Sequence, residues 1–266
     1  MSFSFHTNFE LYYQHQLENA QRYVIPFIEQ SGMITRGMRV LEIGCAEGGV
    51  LRAFIGLGCI GTGIELVSER AERAKLFNKE EIESGKLSIL TKNIYDVNPQ
   101  QLFPEGFDII ILKDVIEHIP EQHRFMRVLK DFLSPNGRIF LGFPPWYMPF
   151  GGHQQICHHR LLSRTPWIHL LPRPCYKALL KAFKEPDECV QELLEIQETG
   201  ISIERFEKIC SSEKYQVLSR KLFLINPIYS LKFNLKPREL PKILAKVPFL
   251  RNFFTTTAFF TIKMLN

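Results

Sequence analysis

The sequence predicts a doubly wound α/β fold on a mostly parallel sheet, and three observations carry that prediction. From Met38 onward, short apolar runs alternate with longer amphipathic ones. The first run ends in a glycine-rich turn that opens a helix. The alternation stops after Pro144-Pro145 and resumes near residue 201. Strand–helix alternation at this period needs crossover connections, which make the strands parallel and put helices on both faces.

Residues 7–30 set Leu11, Tyr12, Leu17, Tyr23 and Val24 at helical spacing, predicting a helix interrupted near Pro26. Residues 1–37 therefore read as an N-terminal helical cap on a domain spanning 38–266. RVLEI (39–43) is a buried strand, GGVLRAFIG (48–56) a helix and CIGTGIE (59–65) a strand. The helix over 68–84 is capped by Ser68 and followed by Gly85. KLSILTK (86–92) and FDIIILK (107–113) are the next strands. A helix over 121–133 is stopped by Ser134-Pro135-Asn136-Gly137, and GRIFLGF (137–143) follows as the fifth strand. An insertion over about 144–200 is rich in Pro, His and aromatic residues and turns helical near 187–198. A helix (201–212), a strand (214–225), a second insertion (226–252) and a final strand (255–264) complete the chain.

At 45% hydrophobic and 23% charged, the 266 residues suit a folded protein with a sizeable core and exclude global disorder. The six cysteines form no CxxC pair and read as free thiols of a reducing compartment. No secretory leader and no membrane-spanning run are recognisable, so a cytoplasmic protein is expected. Charge is uneven: residues 1–150 carry a net −3 and residues 151–266 a net +8. Six basic residues lie between Lys232 and Arg251 against one acid, Glu239. This second insertion, with ILAKVPFLRNFF, is a candidate for peripheral contact with an anionic membrane, packing on the sheet being the alternative. Nucleic-acid binding is not expected, because no stacking motif accompanies the charge. The oligomeric state is not legible.

The richest segment is Val40-Leu41-Glu42-Ile43-Gly44-Cys45-Ala46-Glu47-Gly48-Gly49, in which a strand ends, small residues turn the chain and a helix begins. Ligands of open parallel sheets bind at such strand ends. A dinucleotide reading is disfavoured by Glu42, whose carboxylate would repel a pyrophosphate; a cationic ligand fits better. The alternative for Glu42 is a partner for backbone N–H groups of the turn. Glu65 ends the second strand, where a carboxylate accepts from a ribose diol; capping the following helix is its alternative role. Asn93-Ile94 follows the third strand, where an amide and backbone can read an adenine edge or simply make a turn.

VLEIGCAEGGVL, GIEL and FDIIILKDVIEHI, in this order and spacing over residues 38–143, resemble the successive motifs of class I S-adenosylmethionine-dependent methyltransferases. The resemblance implies a Rossmann-like, seven-stranded sheet whose last strand runs antiparallel. It implies S-adenosylmethionine as cofactor, with S-adenosylhomocysteine as product. It sets Glu42, Gly44, Cys45, Ala46 and Gly48 around the methionine moiety, Glu65 with Leu66 at the ribose, Asn93 and Ile94 at the adenine, and Lys113 and Asp114 beside the sulfonium. Ala46 departs from the usual glycine and Asn93 from the common aspartate.

Such chemistry asks the protein to orient a nucleophile, exclude water and sometimes remove a proton. His118, just past the fourth strand, and His153 are the candidate bases. Trp146, Tyr147 and Phe150, on a proline-stiffened loop leaving the fifth strand, are candidates for an acceptor wall. His153, Cys157, His158 and His159 lack a convincing ligand pattern, so no metal is expected. The expected function is O-methylation of a small, apolar or lipid-like metabolite. An RNA or protein methyltransferase and a non-catalytic S-adenosylmethionine-binding module are the alternatives.

Overall fold

Val40, Leu41 and Ile43 put apolar side chains on both faces of β1 (Arg39–Ile43), as a central parallel strand requires. The computed structural model, which describes residues 8–265, sets β1 between β2 (Ile60–Glu65) and β4 (Phe107–Lys113), with Leu41 paired to Thr62 on one side and Ile110 on the other. With β3 (Leu87–Thr91), β5 (Leu133–Phe143), β6 (Tyr215–Ile225), β7 (Arg238–Glu239) and β8 (Thr257–Met264), they form one sheet ordered β3-β2-β1-β4-β5-β8-β6-β7. β1 to β5 are mutually parallel, and β8 runs antiparallel to both β5 and β6. This is the expected sheet with one addition: the two-residue β7, donated by the second insertion to the edge of β6.

The longer helices are α1 (Phe9–Asn19), α2 (Gly49–Gly56), α3 (Ser68–Phe77), α4 (Gln122–Val128), α5 (Arg173–Ala182), α6 (Asp187–Thr199) and α7 (Ile203–Ser212). One core layer, with Phe125, Phe132, Phe206 and Phe260, fills one face of the sheet. A second, with Phe27, Phe54, Phe140 and Phe259, fills the other. The chain passes β1, β2, β3 toward one edge and then returns to β4 and β5, so the winding reverses between β1 and β4. Ligand crevices form at the carboxyl ends of strands at such a reversal.

Four local expectations are corrected. The interruption near Pro26 is a π turn over Ala20–Val24, which lets the helix run on with Pro26 in the first turn of Ile25–Ile28, where it needs no N–H; Thr7 and the residues before it lie outside the described ones. Ser68 is not a cap: extended Val67 holds that position, and its N–H is taken by Glu65. The helix over 68–84 breaks at Asn78, whose side-chain amide donates to the carbonyls of Ala74 and Glu47. Residues 134–137 lie within β5, where the pairing with β4 shifts register, rather than between helix and strand. In the first insertion, α5 and α6 pack a core of their own around Tyr176, Leu180, Leu193 and Leu194. The second insertion contributes Asn252, whose Oδ1 accepts from the Ile203 N–H at the start of α7. No helix among the described residues is long and apolar enough to cross a membrane.

Candidate functional site

The tips of β1 and β4 and the inner face of α1 border a narrow, partly open cavity, lined by Tyr12, Gln16, Glu42, Gly44, Cys45 and Lys113 among others. The turn after β1 is tight because Gly44 and Gly48 adopt φ of +68° and +81°, conformations that favour glycine. The Gly44 N–H donates to the Ile64 carbonyl at 2.8 Å. At Gly49 a Cβ would stand 2.5 Å from the Tyr13 carbonyl oxygen, so the absence of a side chain lets α1 lie directly on the turn. Tyr13 fixes this contact through its hydroxyl, which donates to Asn78 Oδ1 at 3.0 Å. Ala46, standing where glycine is usual, also takes positive φ (+49°). The Cys45 side chain turns back toward Gly63 of β2, where a Cβ would meet its Sγ at 2.6 Å.

Glu42 is buried in this cavity and its Oε2 has no hydrogen-bond partner among the described residues. Burial pushes its carboxyl well above the usual range, against the pull of Lys113 and the Leu51 N–H, while Glu65 adds to the rise. A buried carboxylate oxygen with no donor is costly. The donor set it asks for, a cationic N–H group, is the one a methionine ammonium carries, so the site fits S-adenosylmethionine. Glu65 is already engaged by backbone donors. Its Oε2 accepts from the Ala46 N–H at 2.8 Å and its Oε1 from the Val67 N–H at 2.9 Å, bracing the glycine turn and leaving two lone-pair directions. Leu66 beside it is exposed. Asn93 Oδ1 accepts from the Tyr95 N–H and caps a 3-10 turn, and the Ile94 side chain is in the core.

Lys113 Nζ and Asp114 Oδ2 are 2.6 Å apart at the end of β4. Burial works to raise the Asp114 carboxyl, but Lys113 overcomes it and holds the group below its ordinary value. Beyond it, the loops after β4 and β5 bring together His118 and His153, whose ring centroids are 4.9 Å apart. Burial, then the neighbouring His118, pushes His153 down to about 4. Glu117 is buried, neither carboxylate oxygen has a hydrogen-bond partner among the described residues, and burial followed by Asp114 pushes it well above its usual range. The structure thus pairs the two sequence-predicted histidines and adds Glu117. His153 also joins this group instead of the Cys157–His159 run. There the N–H groups of His158 and His159 are held by Glu185.

The aromatic loop is built more tightly than its composition announces. Trp146 packs edge-on to His169 and against Gly200, where a Cβ would fall 2.4 Å from its ring. Tyr147 lies on Phe253, just past the second insertion, with ring centroids 5.5 Å apart. The Phe150 carbonyl accepts from the His153 N–H and sets the turn that presents the imidazole. Tyr12 and Gln16 are cavity residues that the sequence hides, since a tyrosine and a glutamine on an amphipathic helix carry no signal of their own. Glu117 lies inside a motif already visible, but nothing in the sequence shows that it is buried.

A reversing parallel sheet with a small-residue turn and a cation-seeking carboxylate at its first strand defines the class I S-adenosylmethionine-dependent methyltransferase fold. The methyltransferase-domain family model matches residues 13–173, more than half of the chain, and the chain belongs to that family. A ubiquinone biosynthesis O-methyltransferase of Glaesserella parasuis serovar 5 (strain SH0165) is 34% identical over 109 residues, 40% of this chain and 44% of that protein. The corresponding enzyme of Histophilus somni (strain 2336) is 26% identical over 147 residues, 53% of this chain and 60% of that protein. The chain thus spans about half the length of the curated relatives it matches. A putative sarcosine dimethylglycine methyltransferase from Galdieria sulphuraria superposes with a TM-score of 0.58 at 12% identity, covering 92% of this chain and 85% of that one. A magnesium protoporphyrin IX methyltransferase from Synechocystis PCC 6803 with bound SAH gives 0.55 at 12% identity, covering 95% and 84%. At these identities the likeness is one of fold.

Proposed function

We propose that the protein transfers a methyl group from S-adenosylmethionine to an oxygen of a small, apolar or lipid-like metabolite. The observation that carries this reading is the buried, partnerless Oε2 of Glu42 in a cavity walled by the glycine turn. The cofactor, when bound, supplies an activated methyl group; the protein need only bind, orient and shield. Glu42, Gly44, Cys45, Ala46 and Gly48 hold the methionine end, Glu65 and Leu66 the ribose, Asn93 and Ile94 the adenine. Lys113 and Asp114 flank the reacting end as a mutually neutralised pair. Tyr12 and Gln16 on α1 close the cavity against water.

The acceptor enters beyond Asp114, under the loop of Trp146, Tyr147 and Phe150, and the His118–His153 pair acts on its hydroxyl proton. Oxygen as the target atom is supported by the O-methyltransferase names of the relatives. Apolar character is supported by half-exposed Tyr147 on this loop and by the Phe253 ring against it. The second insertion exposes Ile243 (85%) and Phe249 (66%) among Lys242 and Lys246, and this face would lie on an anionic membrane that holds such an acceptor. The test is turnover with radiolabelled S-adenosylmethionine and a fractionated cell extract. Label in an organic-soluble small molecule is expected. Label in RNA or protein favours those acceptors instead, and retained cofactor with no labelled product overturns catalysis.

A further inference from the structure

We propose that Cys157, Glu185 and Cys189 form a structural site for a thiophilic divalent cation, Zn²⁺ by the chemistry of the donors, inside the first insertion. The two thiol sulfurs and a carboxylate oxygen all lie within 4.8 Å of one another, and all three residues are buried. Two thiolates and a carboxylate are ligands that Zn²⁺ takes, and sulfur selects it over Mg²⁺ or Ca²⁺. The inference does not depend on the methyl-transfer reading.

The donors come from three separate stretches of the insertion. Cys157 follows the 3-10 turn Gln154–Ile156, Glu185 lies in the link between α5 and α6, and Cys189 is in the first turn of α6. Cys157 thus finds its partners across the insertion and not in the histidines beside it. Glu185 is oriented by the main chain: its Oε2 accepts from the His158 N–H and its Oε1 from the His159 N–H, both at 2.8 Å. Backbone bonds of this kind hold a ligand ready for its metal. Both donors are neutral, so the buried carboxylate still gains from a cation, and each oxygen keeps a lone pair to offer one.

Tyr176 points independently to a ligand. It is 0% exposed, its hydroxyl has no hydrogen-bond partner among the described residues, and the ionisable groups acting on it are Cys157, Cys189 and Glu185. An unpaired buried hydroxyl is costly, and a water in the cation's fourth position gives it a partner. The core around Tyr176, Leu180, Leu193 and Leu194 is also separate from the two layers on the sheet. Small cores of this kind gain from a structural metal. As the cation binds, the two S–H bonds break, two metal–sulfur bonds form and both protons go to solvent. Because Cys157 closely follows His153, the cation also steadies the loop that presents this imidazole.

The test is titration of the reduced, metal-stripped full chain with Co²⁺ as a spectroscopic probe and then with Zn²⁺, with thermal melting of the same samples. One Co²⁺ per chain is expected, with a thiolate-to-cobalt charge-transfer band, displaced by one Zn²⁺ that raises the melting temperature. Cys157→Ser and Cys189→Ser should each weaken Zn²⁺ binding about tenfold or more and diminish the band. Glu185→Gln should weaken binding with the band kept, and Cys175→Ser, at an exposed thiol, should change neither. X-ray absorption of the zinc-loaded parent needs no variant to fold: two sulfur ligands are expected, and none would overturn the site. Absence of binding, a band untouched by both Cys157→Ser and Cys189→Ser, or a Cys157–Cys189 disulfide formed in the presence of Zn²⁺ would overturn it equally.

Discussion

Replacing Glu42 with Gln removes one charge from the cavity and almost no volume. Its Oε2 is buried and partnerless, so a bound ammonium there makes a charge-assisted hydrogen bond that solvent does not screen. Losing such a bond costs about 2–3 kcal/mol, which weakens S-adenosylhomocysteine binding about 30- to 150-fold. Isothermal titration calorimetry measures this directly. The unliganded protein responds in the opposite sense. Glu42 has a carboxyl raised above its unfolded value, so its contribution to stability is fully present below the ordinary carboxylate range and is lost as pH rises through the raised folded value. Glu42→Gln should therefore melt at or above the temperature of the parent at pH 8, with a flatter pH profile. Binding to the parent should also release protons, visible as a heat that changes with the buffer's ionisation enthalpy. An affinity within twofold of the parent, or a loss of affinity accompanied by a fall in melting temperature, would refute the reasoning.

Gly49→Ala drives a Cβ toward the Tyr13 carbonyl and should destabilise by about 1–3 kcal/mol in urea unfolding, because backbone cannot yield as a side chain does. Tyr13→Phe, which strips the bond to Asn78, should cost about 0.5–1.5 kcal/mol in the same assay. Burial works to raise Glu204, but the Phe249 N–H, Asn252 and Arg251 hold it below its ordinary value. The stability it lends is present above the unfolded carboxylate pKa and disappears as pH falls through the depressed folded one; Glu204→Gln should lose stability at pH 7 and flatten the acid limb of the melting profile. Ile243→Glu with Phe249→Glu should abolish co-sedimentation with anionic vesicles while leaving cofactor affinity intact.

What the sequence discloses and what it hides divide along the line between local pattern and tertiary contact. β1 and β4 match their apolar runs residue for residue, because a central parallel strand is apolar on both faces and nothing distant alters that signal. The break at Asn78 is invisible from its neighbours, since its cause is a side chain that bonds Glu47 and Tyr13, far away in the chain. β7 has two residues and no period to detect. His118 and His153 are both legible as candidates, yet only folding shows that their rings touch and that Glu117 completes the group. Glu65 ends a strand in sequence, and the structure shows it accepting from the Ala46 and Val67 N–H groups, so Glu65→Ala disturbs the turn whatever its effect on ligand binding. The aromatic loop shows the converse limit. Trp146 and Tyr147 have the composition of a wall, and the same composition serves to dock the loop on Gly200 and Phe253.

The most direct test is a crystal structure of the full chain with S-adenosylhomocysteine. The account predicts the ligand's amino group within hydrogen-bond distance of Glu42 Oε2 and its ribose beside Glu65, under α1. A ligand bound elsewhere, or one seated here with Glu42 Oε2 still lacking a donor, would contradict it.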